Sequence, residues 1–367
     1  MKIKTITCHD VYNYGASLQA YALMFYLQQL GHEVEIIDYK PDYLSNHYKL
    51  RVANPIYDKP VIKQLYLLAK LIPYLRSLKR KKLFDTFKHD YLKITPIRYT
   101  SNDELKANLP EADLYIAGSD QIWNTLLKNG KDPAFYLDFA PKNKIKASYA
   151  ASMATSEIAQ GFEDFVRSKV QKLDYISVRE RSAAKILNKL GITDVHVVCD
   201  PVFLLTLKQW EQLIDVHNPI YTQPYVLVYD FDQSQSIYDI TRFLAHTENL
   251  KIVPIGMTKF GKLADQSRRI GPVEFLNLIY HARYVVSNSF HATAFALLFQ
   301  KEFYVVKRKE SLNERMIDLL ADLNLETRLV SSVSDLAPNK IDYPHVQSLL
   351  NNNIQSSKDY IRLITKR

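Results

Sequence analysis

The sequence predicts an α/β protein built from two Rossmann-like domains whose parallel sheets face a cleft. Three observations predict this class: strand patterns alternate with helix patterns, the alternation restarts after residue 206, and polar residues follow four of the strands. The 367 residues, of which 47% are hydrophobic, suffice for two domains with a substantial core. We expect an N-terminal domain over 1–205, a C-terminal domain over 206–345 and a helix over 346–367 that packs back across both.

The first forty residues predict a strand, a helix and a second strand. Ile3 to Cys8 is a short apolar run, and Ser17 to Leu30 carries apolar residues near helical spacing. Gly31 stands where a glycine in the left-handed conformation often ends a helix, and Glu33 to Asp38 forms the next strand. Such alternation is typical of a parallel sheet that helices cover on both faces.

The remaining elements continue this alternation on the far side of an insertion. The insertion spans 41–100, is rich in Tyr, Lys and Leu, and includes a helical pattern from Val61 to Tyr91. In the rest of the first half the sequence predicts strands at 114–117, 146–151, 175–178 and 195–199, with helices at 156–173 and 181–190. In the second half it predicts strands at 225–229, 251–255, 284–287 and 302–306, with helices at 234–248, 272–282 and 290–299.

Charge and cysteine content exclude several classes of protein. The net charge of +9, with a pI of about 9.1, predicts a surface that attracts anions. Cys8 and Cys199 are the two cysteines, so neither a disulfide framework nor a C-x-x-C metal pair is present. No apolar run reaches the ~20 residues that span a bilayer, and the first residues lack the apolar segment of a signal peptide. We therefore expect a soluble, cytoplasmic protein.

Four polar segments occur where predicted strands end and helices begin. Open α/β sheets bind ligands at this edge, and the free N–H groups at a helix start favour an anion. Single members of these segments also have a purely structural interpretation: Trp123 as core, Asp120 as a helix cap, and Arg179 as part of a surface ion pair. Because all four segments share one edge and one polarity, the sequence favours a site there. The segments are 9–15, 118–124, 177–181 and 287–292.

Eight short stretches, in a fixed order from residue 13 to about 320, carry a family resemblance. They are NYGASLQAYAL (13–23), AGSDQIWN (117–124), SYAASM (148–153), ISVRERSA (176–183), VVCDPVFLL (197–205), GPVEFLNLI (271–279), SNSFHATAFALLF (287–299) and NERMIDLL (313–320). This set resembles the polysaccharide pyruvyl transferase family, whose members move pyruvate from phosphoenolpyruvate onto a sugar as a ketal. The insertion 41–100 has no counterpart in the resemblance.

The resemblance implies a GT-B-like fold of two Rossmann-like domains and assigns residues to the donor. His291 is similar to the family's catalytic histidine, and Arg179 is similar to the arginine that binds phosphoenolpyruvate. Many relatives have Arg-Leu-His at the catalytic position, where this chain has Ser289-Phe290-His291, so another cation must replace the missing arginine. The predicted donor side comprises Arg179, Asn288, Ser289, Lys307 and Arg315, with Arg308 as a further candidate.

The residue types fit this chemistry, and the facing edge of the first domain supplies the predicted acceptor side. Phosphoenolpyruvate carries a carboxylate and a phosphate, which require cationic partners. A histidine titrates near neutral pH and serves as a general acid or base. Neither a cofactor nor a metal is expected; the expected partners are phosphoenolpyruvate and a sugar acceptor, either free or linked to a polyprenyl carrier. The acceptor residues are Asn13, Gly15, Asp120, Gln121, Trp123 and Asn124.

Three other interpretations remain open. Asp230-Phe231-Asp232 resembles the D-x-D of metal-dependent glycosyltransferases, so a nucleotide-sugar glycosyltransferase of the same build is the first alternative. Cys199 near His196 and Asp200 suggests a cysteine nucleophile, although strand positions 196 and 199 point to opposite faces. A non-catalytic protein that binds acidic glycans would retain the basic insertion without using His291.

The helix pattern of the insertion places a cluster of cations, Lys79 to Lys82, beside an apolar stripe. Each cation near anionic lipid contributes ~1 kcal/mol, so peripheral docking at the inner face of the membrane is one interpretation. In the other, the stripe packs on the N-terminal domain and the cations are solvated. No RNA or DNA motif accompanies the cluster, so nucleic acid is not an expected partner. The stripe comprises Leu65, Leu68, Ile72, Leu75 and Leu83.

Overall fold

Two parallel β-sheets, each flanked by helices, organise the chain in the computed structural model, which describes residues 1–44, 60–256, 258–261, 270–308 and 313–366. The first sheet contains β1 (Lys2–Ile6), β2 (Glu33–Tyr39), β3 (Ile94–Tyr99), β4 (Leu114–Ala117) and β5 (Ile145–Ser148). Its strand order is β3-β2-β1-β4-β5, and all of its neighbouring strands are parallel. This order places the carboxyl ends of β1 and β4 side by side.

Two further sheets follow along the chain. A small sheet pairs β6 (Ser177–Val178) with β7 (His196–Val197), and an isolated bridge from Ala147 to Tyr175 links it to the first sheet. The second large sheet contains β8 (Tyr225–Tyr229), β9 (Lys251–Ile255), β10 (Tyr284–Ser287) and β11 (Glu302–Val305). Its order is β11-β10-β8-β9, again parallel throughout, which confirms the predicted α/β class with parallel sheets.

Eleven α-helices accompany these strands within the described residues. In the first part of the chain they are α1 (Tyr14–Gln29), α2 (Pro60–Tyr91), α3 (Asn102–Ala107), α4 (Glu163–Val170), α5 (Arg181–Lys189) and α6 (Leu207–Glu211). In the second part they are α7 (Gln235–Thr247), α8 (Pro272–His281), α9 (Phe290–Leu298), α10 (Glu314–Asp322) and α11 (Tyr343–Thr365). Among these helices none is both long and apolar enough to cross a membrane.

Three local predictions differ from the structure. The first helix begins at Tyr14 rather than Ser17, because the Asn13 side chain accepts a hydrogen bond from the backbone N–H of Ala16 and caps the helix there. The helix predicted over 156–173 is limited to α4, and the strand predicted over 195–199 is limited to β7. The insertion is also not a pure addition, since its last segment forms β3 at the edge of the first sheet.

Helix α1 joins the two large sheets into one hydrophobic core. The ring of Tyr14 stacks on Phe275 of α8, with centroids 4.6 Å apart and planes within 2° of parallel. The Tyr14 hydroxyl also donates to the carbonyl oxygen of Ile270, 3.3 Å away. Buried residues of both halves, from Ile3 to Phe295 and beyond, belong to a single cluster. The core is therefore continuous across residue 206, and the domain boundaries there and at 345 remain predictions.

Helix α11 contacts both halves of the chain. The Tyr360 hydroxyl donates to the carbonyl oxygen of Ser148 at the end of β5, at 2.9 Å. At the other end of the helix, the Tyr343 hydroxyl donates to the carbonyl oxygen of Lys301. Between them, the buried Ser357 hydroxyl accepts from the backbone N–H of Cys199 at 2.8 Å and donates to Asn353 at 2.7 Å. Side chains of this helix therefore form hydrogen bonds with backbone groups of both halves of the chain.

Replacing Ser357 with Ala should lower the free energy of unfolding by about 1–3 kcal/mol, because the partly buried N–H of Cys199 loses its acceptor, the fully buried Ser357 hydroxyl. Urea denaturation would measure this as a lower midpoint with an unchanged slope. Ser356→Ala, at the exposed neighbouring position, is the control and should change stability by no more than about 0.5 kcal/mol. Equal effects at the two positions would contradict this account.

The four cations of the Lys79–Lys82 cluster do not form one uniform face. Arg80 lies over the rings of Tyr14 and Phe84, with its guanidinium 5.1 and 4.7 Å from their centroids. Lys81 pairs with Asp85 along the helix, whereas Lys79 and Lys82 are exposed. Membrane docking through this cluster stays a prediction. Leu75 is exposed and Leu83 half-buried, while Leu65, Leu68 and Ile72 lie outside the described side chains.

Candidate active site

A cleft of about 450 Å³ opens at the carboxyl ends of the strands of both large sheets. Three helices begin at this cleft, because Asn13 caps α1, Ser289 caps α9, and Arg315 lies in the first turn of α10. The N-terminal ends of helices carry partial positive charge, so their convergence favours an anionic ligand. The lining includes Cys8, Val11, Asn13, Tyr43, Asp120, Gln121, Lys128, Phe231, Asn288, Ser289, Phe290, His291, Arg308, Arg315 and Met316.

His291 is placed in the cleft by the sharp transition from β10 to α9. Ser289 caps the helix by accepting from the backbone N–H of Ala292, which puts His291 in the first turn. The imidazole ring lies directly against Gly15 of α1: a Cβ added to that glycine would be 1.9 Å from Nδ1 of His291. The absence of a side chain at Gly15 is therefore what lets the ring from the second half reach the edge of the first.

The carboxylate of Asp200 lies behind the ring. Its Oδ2 atom is 3.5 Å from Nε2 of His291 and 2.9 Å from Nη1 of Arg179, and the side chain is fully buried. Burial alone would raise the pKa of this carboxyl group, but the charge of Arg179 and the interaction with His291 outweigh it and hold the pKa at about 2. Asp200 is therefore an anion at neutral pH.

Arg179 is held in place by groups of the protein itself. One of its terminal nitrogens, Nη2, donates to the Ser119 hydroxyl at 2.7 Å, while Nη1 pairs with Asp200. Only 2% of the side chain is exposed, and the guanidinium packs 5.2 Å from the centroid of the Phe290 ring. Arg179 does not line the main cleft but a smaller cavity of about 210 Å³ behind Phe290. Its role in donor binding stays a prediction.

Arg315 also packs near the Phe290 ring, and it lines both the main cleft and the smaller cavity. Its guanidinium is 5.4 Å from the ring centroid, and its nearest carboxylate oxygen, on Asp120, is 3.9 Å away. Among the described residues, none accepts a hydrogen bond from its Nε atom, although the side chain is only 8% exposed. Burial and the charge of Arg179 lower the pKa of Arg315 to about 10, so it remains a cation at neutral pH. A buried cation with so little compensation favours an anionic ligand.

A strained turn after β4 places Asp120 in the cleft. Gly118 has a φ of +135°, and a Cβ there would be 2.0 Å from the carbonyl oxygen of Tyr149, so glycine is required. Asp120 itself has a φ of +77°, a conformation that costs energy for a residue with a side chain. Its carboxylate lies 4.0 Å from Arg179 and 3.9 Å from Arg315. The turn therefore holds an anion between the two guanidinium groups.

The predicted site residues divide into those that reach the cleft and those that do not. The prediction that Trp123 lines the cleft is wrong: its ring is fully buried, stacks on Tyr136, and donates its indole N–H to Phe135. Asn124 is buried as well, and its side chain forms hydrogen bonds within its own loop, to Gln121 and from the backbone N–H of Leu126. Lys307 is exposed and does not line the cleft. The structure does bring together Asn13, Asp120, Gln121, Asn288, Ser289, His291, Arg308 and Arg315, with Gly15 beneath the histidine.

The residues behind the other interpretations have structural partners. The carboxylate of Asp230 accepts from the backbone N–H groups of Asp232 and Ser234 and from the Asn288 side chain. Within the described part of the chain, no group of three or more His, Cys, Asp or Glu side chains is arranged to hold a metal ion. Burial raises the pKa of the Cys199 thiol to about 11, which disfavours the thiolate that a nucleophile needs.

Sequence reasoning missed two parts of the site. Asp200 was weighed only as a neighbour of Cys199, although the stretch VVCDPVFLL already contained it; its contact with His291 joins residues far apart in the chain. Phe290, which replaces an aliphatic residue of the resemblance, packs near both Arg179 and Arg315. The contact between Phe290 and Arg315 could not be identified from a local pattern, because Phe290 begins α9 and Arg315 lies in α10.

Comparisons with known proteins support the fold and the family. The profile described as Polysaccharide pyruvyl transferase matches residues 13–310. A candidate UDP-N-acetylglucosamine 2-epimerase from Listeria monocytogenes is similar in structure, with a TM-score of 0.52, 12% identity, and coverage of 98% of this chain and 90% of that one. The UDP-N-acetylglucosamine 2-epimerase from Rickettsia bellii has a TM-score of 0.51, 10% identity, and coverage of 99% and 96%. No curated protein sequence gives a match. These likenesses confirm the GT-B-like fold.

Proposed function

The chain belongs to the polysaccharide pyruvyl transferase family, and from this premise we propose that it transfers pyruvate from phosphoenolpyruvate to two hydroxyl groups of a sugar. The acceptor in this proposal is a surface polysaccharide or its lipid-linked precursor, and phosphate is released. The observation that supports it most strongly is the pairing, in one cleft, of the underpaired cation Arg315 with the imidazole of His291.

The charges of the cleft suit a small dianion or trianion. Arg315 has its closest anionic neighbour at 3.9 Å, beyond hydrogen-bond distance, so its planar fork is available to a carboxylate or phosphate. The N-terminal ends of α1 and α9 add partial positive charge at the same place. We assign Arg315 as the main binding partner of the donor anion, with Asn288 and Ser289 beside it. Arg179, which packs near Phe290, adds a second positive charge close to this site.

The reaction needs proton transfer at three positions. The methylene carbon of phosphoenolpyruvate gains a proton and becomes a methyl group, which develops positive charge on C2. One sugar hydroxyl forms a bond to C2 and loses its proton; the bond from C2 to the phosphate oxygen breaks; the second hydroxyl then adds to C2 and loses its own proton. One hydroxyl proton balances the methyl group and the other leaves with phosphate. His291 is the proposed acid and base for these transfers.

A nucleotide-sugar glycosyltransferase is the alternative that uses the same fold. Asp230 is occupied by backbone N–H groups, so the D-x-D segment lends that alternative no support. An assay that offers the purified chain phosphoenolpyruvate and sugar acceptors without any nucleotide sugar separates the two. We expect phosphate release together with a product heavier by pyruvic acid minus one water. Turnover only with a nucleotide sugar would overturn the proposal.

Replacing Arg315 with Lys should raise the KM for phosphoenolpyruvate by about tenfold or more, since a point charge cannot reproduce a planar fork. Steady-state kinetics at saturating acceptor would measure the effect. Arg181→Lys is the matched control, because Arg181 lies outside the main cleft and pairs with Asp322 instead. An equal rise in KM for both variants, or none for Arg315→Lys, would contradict the assignment.

A further inference from the structure

The carboxylate of Asp200 contacts two site residues but does not line the main cleft. Its Oδ1 atom accepts from the backbone N–H of Val202 at 3.0 Å, which fixes the plane of the group. Its Oδ2 atom is then directed at Nε2 of His291 and Nη1 of Arg179. Asp200 does not line the cleft, so any effect it has on the reaction is exerted through these two partners.

We propose that Asp200 is a positioning residue of the transfer reaction: it holds the proton of His291 on Nε2 and thereby leaves Nδ1 as the atom that exchanges protons with the substrates. This inference rests on the proposed function. In a neutral imidazole, the nitrogen that faces a carboxylate carries the proton, and the other nitrogen accepts. The carboxylate also stabilises the imidazolium that forms when Nδ1 takes the proton of a sugar hydroxyl as the bond from that oxygen to C2 forms.

The surroundings of the ring agree with this assignment. Nε2 is a buried atom, whereas Nδ1, which lies against Gly15, is not among the buried unpaired atoms, and the residue lines the cleft. Among the residues that the structure describes, Asp200 is the one whose carboxylate lies within ion-pair distance of the ring. The other charged groups nearby are Arg179, which pairs with Asp200, and Arg315 and Asp120, which lie 3.9 Å apart. The first turns of α1 and α9 add no acidic side chain.

The same carboxylate links the histidine to Arg179. Its Oδ2 atom is the atom near both groups, while Arg179 is also held by its hydrogen bond to Ser119. Asp200→Asn keeps the size of the side chain and leaves an oxygen for the N–H of Val202, but it removes the negative charge. This substitution therefore tests the charge without removing the support of the backbone.

For Asp200→Asn we expect kcat to fall by about 10–10³-fold while the KM for phosphoenolpyruvate stays within about threefold, because the residue acts on proton transfer and not on binding. The acidic limb of the pH–rate profile should move to lower pH, since the lost anion no longer favours the imidazolium. Asp322→Asn, which removes a carboxylate paired with Arg181, is the control and should leave the profile unchanged. An unchanged profile for Asp200→Asn would overturn the proposal.

Nitrogen NMR of the histidine rings tests the proposal without any turnover. In the unmodified protein, with His291 assigned by comparison with His291→Gln, we expect the tautomer that is protonated on Nε2. The opposite tautomer would overturn the proposal even if the transfer reaction is confirmed. If the protein transferred no pyruvate at all, only the proposed function would fail, and this spectrum would still decide the role of Asp200. The measurement also serves if Asp200→Asn does not fold.

Discussion

Replacing His291 with Ala should lower kcat for pyruvyl transfer by about 10²–10⁴-fold, the usual loss when a general acid or base is removed. The ring lines the cleft, and its Nε2 atom lies 3.5 Å from Asp200. The KM for phosphoenolpyruvate should change little, because the proposed donor site is formed by Arg315 and the helix ends. Phosphate release and product mass would both report the loss.

His291→Gln serves as the control for packing. Glutamine fills much of the same volume and forms hydrogen bonds, but it does not exchange protons near neutral pH. Both variants should therefore lose activity to a similar extent and unfold at temperatures close to that of the unmodified protein. Retention of more than about a tenth of the activity by either variant would show that the catalytic proton transfer is carried by another group.

Replacing Gly15 with Ala should reduce activity by about 10²-fold even though position 15 bears no functional group. The new methyl carbon would lie 1.9 Å from Nδ1 of His291, so the ring must leave its place in the cleft. A small misplacement of a reacting group costs a factor of this size. The crowding should also lower the free energy of unfolding by about 1–3 kcal/mol. Activity assays and urea denaturation would measure the two effects.

A double substitution isolates the contact itself. In a His291→Ala background the methyl group of Gly15→Ala finds the space that the ring has vacated, so most of the loss of stability should disappear. The interaction energy from this cycle should therefore be similar in size to the destabilisation by Gly15→Ala alone. Additive losses of stability would mean that the methyl group disturbs α1 and not the histidine.

Much of the fold could be predicted because its strands are buried apolar runs and its helices have clear ends. Segments that depend on distant partners could not. The segment of β3 contains Pro96, which argues against a strand, yet an edge strand tolerates a residue without an N–H group. The burial of Trp123 also depends on partners outside its own segment. Its indole N–H donates to Phe135 and its ring stacks on Tyr136, and the sequence pattern around Trp123 shows neither contact.

The site shows the same limit. His291, Arg315 and Asp120 could be proposed from their places at strand ends and helix starts, where such residues gather. The direction of the Arg179 side chain depends on Ser119 and Asp200, and neither is close to it in sequence. Asp200 could be recognised as a partner of His291 only once both halves of the chain were placed. Local patterns therefore located the cleft, and long-range contacts determined which atoms face it.

The stack of Tyr14 on Phe275 has a consequence for how new specificities arise in such a protein. An exchange of one half of the chain between relatives would test how closely the two halves are matched. A crossover near residue 206 would place Tyr14 and Phe275 in different parental sequences, and likewise Gly15 and His291. Each half of the hybrid would then pack against residues that do not match its own. Viable hybrids would have to carry matched residues on both sides of the join. Acceptor choice is therefore expected to evolve through single substitutions at the rim, around Tyr43, Gln121 and Lys128.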